Sequence, residues 1–260
     1  MDAVSREIRR QCLRVAHASG HGHLPTCFSV IEILRAVYQT MRHDPQQPDD
    51  PHRDIFILSK GHAALAHYAV LAQNGYFPAD ELSGFGSFQS RFGCHADRFK
   101  VPGVEWSTGS LGHGLSVALG FALAIKLKGE SRRVYALIGD GESNEGTIWE
   151  ALQVASFQKL DNLTILLDWN QSQTRCLPLL QAEEKFASMG CRVRSVDGHS
   201  MPELLGALQE APAGQAPLAL ICHTGKGYGC STMLNDMFAW HRRSPNAAEL
   251  EQLLKELDYA

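Results

Sequence analysis

RVYALIGDGESNEGTIWEALQVASFQKLDNLTILLDWN, residues Arg133 to Asn170, reads as a strand, a turn, a helix and a second strand. The run from Arg133 to Ile138 is short, apolar and partly β-branched, and it stops at Gly139-Asp140-Gly141, where glycine permits a tight turn. Thr147 to Lys159 then carries Ile148, Leu152, Ala155 and Phe157 at three- and four-residue spacings, which predicts a helix. Asn162 to Trp169 returns to an apolar run suited to a buried strand. In a βαβ unit the two strands are parallel, so Asp140 and Asn170 both fall at strand C-terminal ends, the edge where open α/β sheets bind ligands.

A carboxylate beside an amide carbonyl is a pair of hard oxygen ligands, suited to Mg²⁺ or Ca²⁺ and, through the cation, to a phosphate or diphosphate. Gly141 lets backbone approach an anion, and the start of the following helix favours negative charge. The same residues also fit a plain turn and a loop asparagine, because short motifs recur by chance. Other segments have to decide.

Working outward, helices are expected at Ser5–Ala18, Phe28–Met41, Ala63–Gln73, Gln181–Met189, Pro202–Glu210 and Ala247–Leu257, with strands at Asp54–Leu58, Cys191–Val196 and Pro217–Cys222. Residues 75–104 lack periodicity beyond one helical turn near Ala79–Leu82. The helix leading from Gly114 to Lys126 is apolar nearly all round and is expected to be buried. Strands alternating with helices predict a doubly wound, mainly parallel α/β sheet with helices on both faces, as one domain over residues 1–260.

Composition narrows the function. The 260 residues are 44% hydrophobic and 20% charged with a net charge of −4 and no basic block, which disfavours nucleic acid as a partner. Seven scattered cysteines form no Cys-x-x-Cys pair, so neither a disulfide framework nor a zinc site is expected. No apolar run has membrane length and no targeting signal is evident, so no membrane partner and a reducing, cytoplasmic location are expected.

Among the 12 histidines, His21, His23, His62, His95 and His241 adjoin glycine or tryptophan in loops beside strand or helix ends. Polar ligands are read at such places, and these histidines suit hydrogen bonding and proton transfer around a hydroxylated substrate. The bland alternative, surface or satisfied core residues, fits His17, His43, His52, His67 and His199.

Taken together, Gly139-Asp140-Gly141-Glu142 with Asn170, Leu58-Ser59-Lys60-Gly61-His62-Ala63-Ala64, Ser107-Thr108-Gly109-Ser110-Leu111-Gly112-His113-Gly114 and Trp240-His241 resemble the N-terminal subunit of split, two-component transketolases. The resemblance spans essentially the whole chain in consistent order. It implies thiamine diphosphate held through Mg²⁺, with Ca²⁺ or Mn²⁺ as substitutes, and two-carbon ketol transfer from a ketose or ketose phosphate to an aldose. By the same resemblance, Asp140, Asn170 and the backbone carbonyl of Ser172 are the metal ligands. Lys60, His62, Gly109, Ser110, Leu111, Gly139, Asp140, Gly141, Glu142, Asn170, Lys226 and His241 contact the cofactor, and His23, His62, His95 and His241 line the reaction site.

Both His21 and His23 follow a glycine. Ser19-Gly20-His21 matches the family's local Ser-Gly-His, but ungapped register from Ile8-Arg9-Arg10 forward or from Glu32-Ile33-Leu34 backward selects His23. Departures from the family are Ala96 after His95, Gly225 before Lys226, and Gln171-Ser172-Gln173-Thr174-Arg175 after Asn170, which leaves the substrate open. The family's pyrimidine-gripping glutamate belongs to a further domain, so the resemblance implies a C-terminal, pyrimidine-binding partner subunit. An α₂β₂ assembly is implied, with Glu142 near its dimer axis. The α subunit of a 2-oxo acid dehydrogenase shares the Asp140–Asn170 unit but does not account for Ser59-Lys60-Gly61-His62. A catalytically silent subunit of the same fold is the remaining alternative, and a haloacid-dehalogenase-type phosphatase lacks its Asp-x-Asp pair here.

Overall fold

The computed structural model describes residues 1–210 and 215–260. In chain order its elements are α1 (Ala3–Ser19), α2 (Leu24–Thr40), β1 (Ile55–Leu58), α3 (Ala64–Gln73), α4 (His113–Leu127), β2 (Val134–Gly139), α5 (Gly146–Phe157), β3 (Leu163–Trp169), α6 (Ala182–Ser188), β4 (Arg192–Asp197), α7 (Met201–Gln209), β5 (Leu218–His223), α8 (Ser231–Asn235) and α9 (Ala247–Asp258). Most bounds fall within two residues of those expected from sequence. The exceptions are α2, which starts four residues early, and α8, which was not expected.

Local chemistry explains the helix ends. Asp2 caps α1 by accepting from the Ser5 N–H at 2.8 Å, and Gly20 ends it in the left-handed region at φ 69°. In α9, Asn246 and Glu249 form a reciprocal capping box.

The five strands pair in parallel in the order β1-β2-β3-β5-β4. Alternation along each strand divides the core in two. Phe56, Leu58, Tyr135, Leu137, Leu166 and Leu220 face the side packed by α1, α2, α3 and α7. Ile55, Ile57, Val134, Ala136, Ile165 and Ile221 face the side packed by α4, α5 and α6. A parallel sheet is stable only when both faces are covered, which is why these strands read as continuous apolar runs.

One expectation fails. α4 is not buried all round: Gly114, Leu115, Ala118, Ala122 and Ile125 are buried, while Ser116, Gly120, Ala124 and Leu127 are exposed. The sheet covers only one side of a helix, so an all-round apolar helix on its outer layer keeps an uncovered face.

Candidate active site

The parallel arrangement brings the C-terminal ends of β1, β2, β3 and β5 to one edge of the sheet. The segments that leave those ends carry Lys60 and His62, Asp140 to Glu142, Asn170 and Ser172, and Lys226. From the other side come His23 and Thr26 at the N-terminal end of α2, together with His95, Gly109 and Leu111 from the irregular segment before α4. These residues, with Gly139, Gln173 and His241, line one cavity of about 290 Å³. Every residue to which the resemblance gave a metal, cofactor or reaction-site role therefore lies in its wall except Ser110, which is exposed and bonds His113 Nδ1 at 3.2 Å. His21 lies outside, with its ring against Gly86. Thr26 and Gln173 are wall residues that sequence reasoning did not select.

Two glycines shape the wall. A side chain at Gly61 would meet Thr108 Oγ1 at 2.8 Å and the Gly109 backbone nitrogen at 2.9 Å, so glycine permits the two loops to touch. Gly109, at φ +147°, leaves His95 its place: a Cβ there would stand 3.1 Å from the imidazole.

At the positions expected from sequence to hold a cation, Asp140 Oδ1 accepts the Gly141 N–H at 2.8 Å and the Ser172 hydroxyl at 2.6 Å. Its Oδ2 accepts no hydrogen bond among the described residues. Among the described residues Asn170 Oδ1 accepts only the Ser172 N–H, at 3.1 Å. A carboxylate oxygen and an amide oxygen with free lone pairs are hard-oxygen donors whose chemistry fits Mg²⁺ or Ca²⁺. Among the described residues no cluster of three or more His, Cys, Asp and Glu offers an alternative metal site.

Beneath this pair lies Asp168, fully buried at the end of β3 and missed from sequence. Its carboxylate accepts from Ser29 Oγ at 2.8 Å, from Asn170 Nδ2 at 2.7 Å, and from Lys60 Nζ and Thr224 Oγ1. A carboxylate inside an apolar strand was the available signal, since buried charges occur almost only when paired. Glu142 plays a comparable part: Oε1 accepts Ser59 Oγ at 2.5 Å and the Gly112 N–H at 2.9 Å, and Oε2 accepts the Gly139 N–H at 3.1 Å. It ties together the loops after β1, before α4 and after β2. Burial pushes its carboxyl up, against the pull of those three donors.

Lys60 is paired to Asp168, and Lys226, which also lines the cavity, has its Nζ 3.0 Å from His241 Nδ1. Burial and the neighbouring Lys60 hold its ammonium down to about 8. The His23 ring stands 5.4 Å from that of His62 and 5.6 Å from that of His241. Burial first, then neighbouring positive groups, lower His23 to about 4 and His62 to about 2, and shift His95 and His241 downward too. At neutral pH these rings are uncharged, each with one donor and one acceptor, the state that passes protons between hydroxyls.

A cavity combining an open carboxylate and amide, a buried ammonium and four neutral histidines is matched in sequence by a family model described as "Transketolase, thiamine diphosphate binding domain", over residues 2–260. The chain belongs to the transketolase family. It carries that family's thiamine diphosphate-binding domain and is a component of a transketolase-type transferase. It is 36% identical to an apulose-4-phosphate transketolase subunit of Actinobacillus succinogenes, over 99% of this chain and 95% of that one. It is 38% identical to a 6-deoxy-6-sulfo-D-fructose transketolase subunit of a Clostridium strain, over 86% of this chain and 84% of that one. Homo sapiens transketolase is 37% identical over 98% of this chain, which spans only 41% of that longer protein. The solved transketolase of Campylobacter jejuni superimposes with a TM-score of 0.90 at 25% identity, covering 99% of this chain and 43% of that one. The family's thiamine diphosphate-binding fold is thereby the fold of this chain. Among the described residues no helix is long and apolar enough to cross a membrane.

Proposed function

We propose that this chain is the diphosphate-side subunit of a two-component, metal-dependent transketolase that moves a two-carbon ketol unit from a ketose, free or phosphorylated, to an aldose. The observation that carries this reading is Asp140 Oδ2, which accepts no hydrogen bond among the described residues, in one cavity with Asn170 Oδ1 and Lys226. That arrangement suits a divalent cation and the diphosphate it carries. Asp140, Asn170 and the Ser172 carbonyl would hold the cation, and Lys226 and the backbone at Gly109 and Gly141 would receive the anion. When bound, thiamine diphosphate supplies the carbon that adds to the ketose carbonyl and accommodates the electrons of the broken C2–C3 bond. His23, His62, His95 and His241 bind the sugar hydroxyls, take the proton from the hydroxyl next to the cleaving bond and return it on readdition. Glu142 and Asp168 hold the loops and amides in register, and the cavity wall around Leu111 excludes water.

A pyrimidine-binding partner subunit completes the reading, most simply as α₂β₂. Two features support a partner: the relatives named as transketolase subunits, and the exposed apolar face of α4, where Ser116, Gly120 and Ala124 leave room for close helix approach. The test is reconstitution. The purified chain with thiamine diphosphate and Mg²⁺ is expected to show no ketol transfer, and activity to appear on adding a second subunit of pyrimidine-binding type, with native mass spectrometry reporting the stoichiometry. Turnover by the chain alone, free of co-purified protein, would overturn the two-component reading.

A further inference from the structure

Lys226 rides on a loop that regular structure does not place. Beyond β5, Gly227 and Gly229 take left-handed backbone at φ 101° and 93°, outside strand and helix hydrogen bonding. The position of the ammonium therefore depends on whatever grips residues 225–229 from outside. Besides the contact of the ammonium itself with His241, three hydrogen bonds hold the loop backbone. The Gly225 N–H donates to His199 Nε2 at 2.9 Å, the Gly227 N–H donates to the Pro25 carbonyl at 3.0 Å, and the Tyr228 carbonyl accepts from Arg9 Nε at 2.9 Å. The Tyr228 ring also stacks on the His199 imidazole, with centroids 3.6 Å apart and planes 11° from parallel.

The first contact specifies a chemical state. A backbone N–H only donates, so Nε2 of His199 must be the bare nitrogen and the proton must sit on Nδ1. Nδ1 lies 3.0 Å from Glu32 Oε2. Glu32 is an ionised acceptor: burial alone would raise its carboxyl, but the bonds from Arg9 and His199 hold it at about 2. Arg9 meets it with two bonds of 2.6 and 2.8 Å. The side chains of Arg9, Glu32 and His199 are only 0%, 3% and 8% exposed, so water is a poor substitute for any of these partners. Glu32 belongs to α2, the helix whose first residues put His23 and Thr26 into the cavity wall. The chain of contacts therefore joins the two elements that face each other across the site.

We propose that His199, held in its Nδ1-protonated form by Glu32, is a positioning residue that sets the Gly225–Gly229 loop and through it the place of Lys226 against the diphosphate. The proposal rests on the site reading given above. A merely structural staple between α1, α2 and the turn after β4 predicts something different, because it requires only that the Glu32 charge be met. In His199→Asn, Nδ2 stands about where Nδ1 was and still donates to Glu32, but the side chain is too short to accept from Gly225. In His199→Gln, the amide oxygen reaches the former place of Nε2.

The experiment uses the full chain and two readouts. Nitrogen-15 NMR of the wild-type histidines is expected to show His199 protonated at Nδ1 and bare at Nε2, with a slowly exchanging Gly225 amide. The opposite tautomer would overturn the proposal whether or not any variant folds. Calorimetry with thiamine diphosphate and Mg²⁺ is then expected to give about a tenfold weaker Kd for His199→Asn at nearly unchanged Tm, and recovery of most of that loss in His199→Gln. Affinity equal to wild type in a folded His199→Asn, or losses that track Tm in both variants, would leave His199 as a staple only. A wild-type chain that binds no cofactor would instead count against the site reading, and the tautomer and the Gly225 exchange rate would still decide the positioning claim.

Discussion

Asn170 Nδ2 donates to Asp168 Oδ2 at 2.7 Å, and this bond decides which edge of the Asn170 amide faces the cavity. An ionised carboxylate only accepts, so the amide must present its NH₂ inward and its oxygen outward, toward Ser172 and the cation position. The Asp168 carboxylate is fully buried, and the Lys60 ammonium pairs with it there.

Asp168→Asn removes that constraint and strips Lys60, only 1% exposed, of its counter-charge. Breaking a buried pair from one side costs about 3–5 kcal/mol. Urea unfolding should register that loss, and calorimetry should show weakened Mg²⁺-dependent cofactor binding. An unchanged cation requirement would mean that the amide orientation is set by something else.

Asp140→Ala should separate binding from folding. The side chain is buried at a strand end against the cavity, and Oδ1 accepts two hydrogen bonds while Oδ2 accepts none among the described residues, so its removal takes away a ligand together with those two bonds. Mg²⁺-dependent binding of thiamine diphosphate is expected to vanish while the far-UV spectrum stays native and Tm falls by only a few degrees, at about 1 kcal/mol for each bond lost. Binding that survives would move the metal site elsewhere.

His23→Ala should lower turnover of the reconstituted enzyme about 10²-fold, the size expected for losing a proton-transfer group. His21→Ala should leave it within a few-fold, since that ring packs on Gly86 outside the cavity. Steady-state kinetics with both variants settle the ranking, and the reverse order would hand the role to the local Ser-Gly-His.

His67 offers a stability prediction away from the site. It is 1% exposed, its Nε2 bonds the Tyr38 hydroxyl at 2.8 Å, and burial lowers it to about 3 from an ordinary 6.5. The folded value lies below the unfolded one, so the contribution is fully present above pH 6.5 and is lost as pH falls toward 3, at about 1.4 kcal/mol per unit. The pH dependence of stability from denaturant curves should therefore be shallower in His67→Gln below pH 6.5, by a slope that approaches one proton's worth toward pH 5, while His23, His62, His95 and His241 contribute loss in both proteins. An identical slope in the variant would show that His67 does not titrate in that window.

The sheet and the diphosphate end of the site were legible in the sequence, because their signals are local. Apolar runs punctuated by glycine mark parallel strands buried on both faces, and a ligand edge follows from strand direction, so Asp140, Asn170 and Lys60 could be placed at strand ends, whereas Lys226 was picked out by the family resemblance. His23 could be chosen over His21 by register, and the structure places its ring among those of His62 and His241. Tertiary structure alone decided what depends on partners distant in the chain. Asp168 looks like one acid in a strand until Ser29, Lys60 and Thr224 converge on it, and Glu142 looks like a motif residue until Ser59 and Gly112 occupy its oxygens. His199 had the features of a surface or satisfied core histidine, and only folding brings Glu32 and Gly225 to its two nitrogens. The exposed face of α4 belongs to the same class. Periodicity reports that a helix is apolar all round, whereas which side finds a neighbour is set by the layer in which the fold puts it.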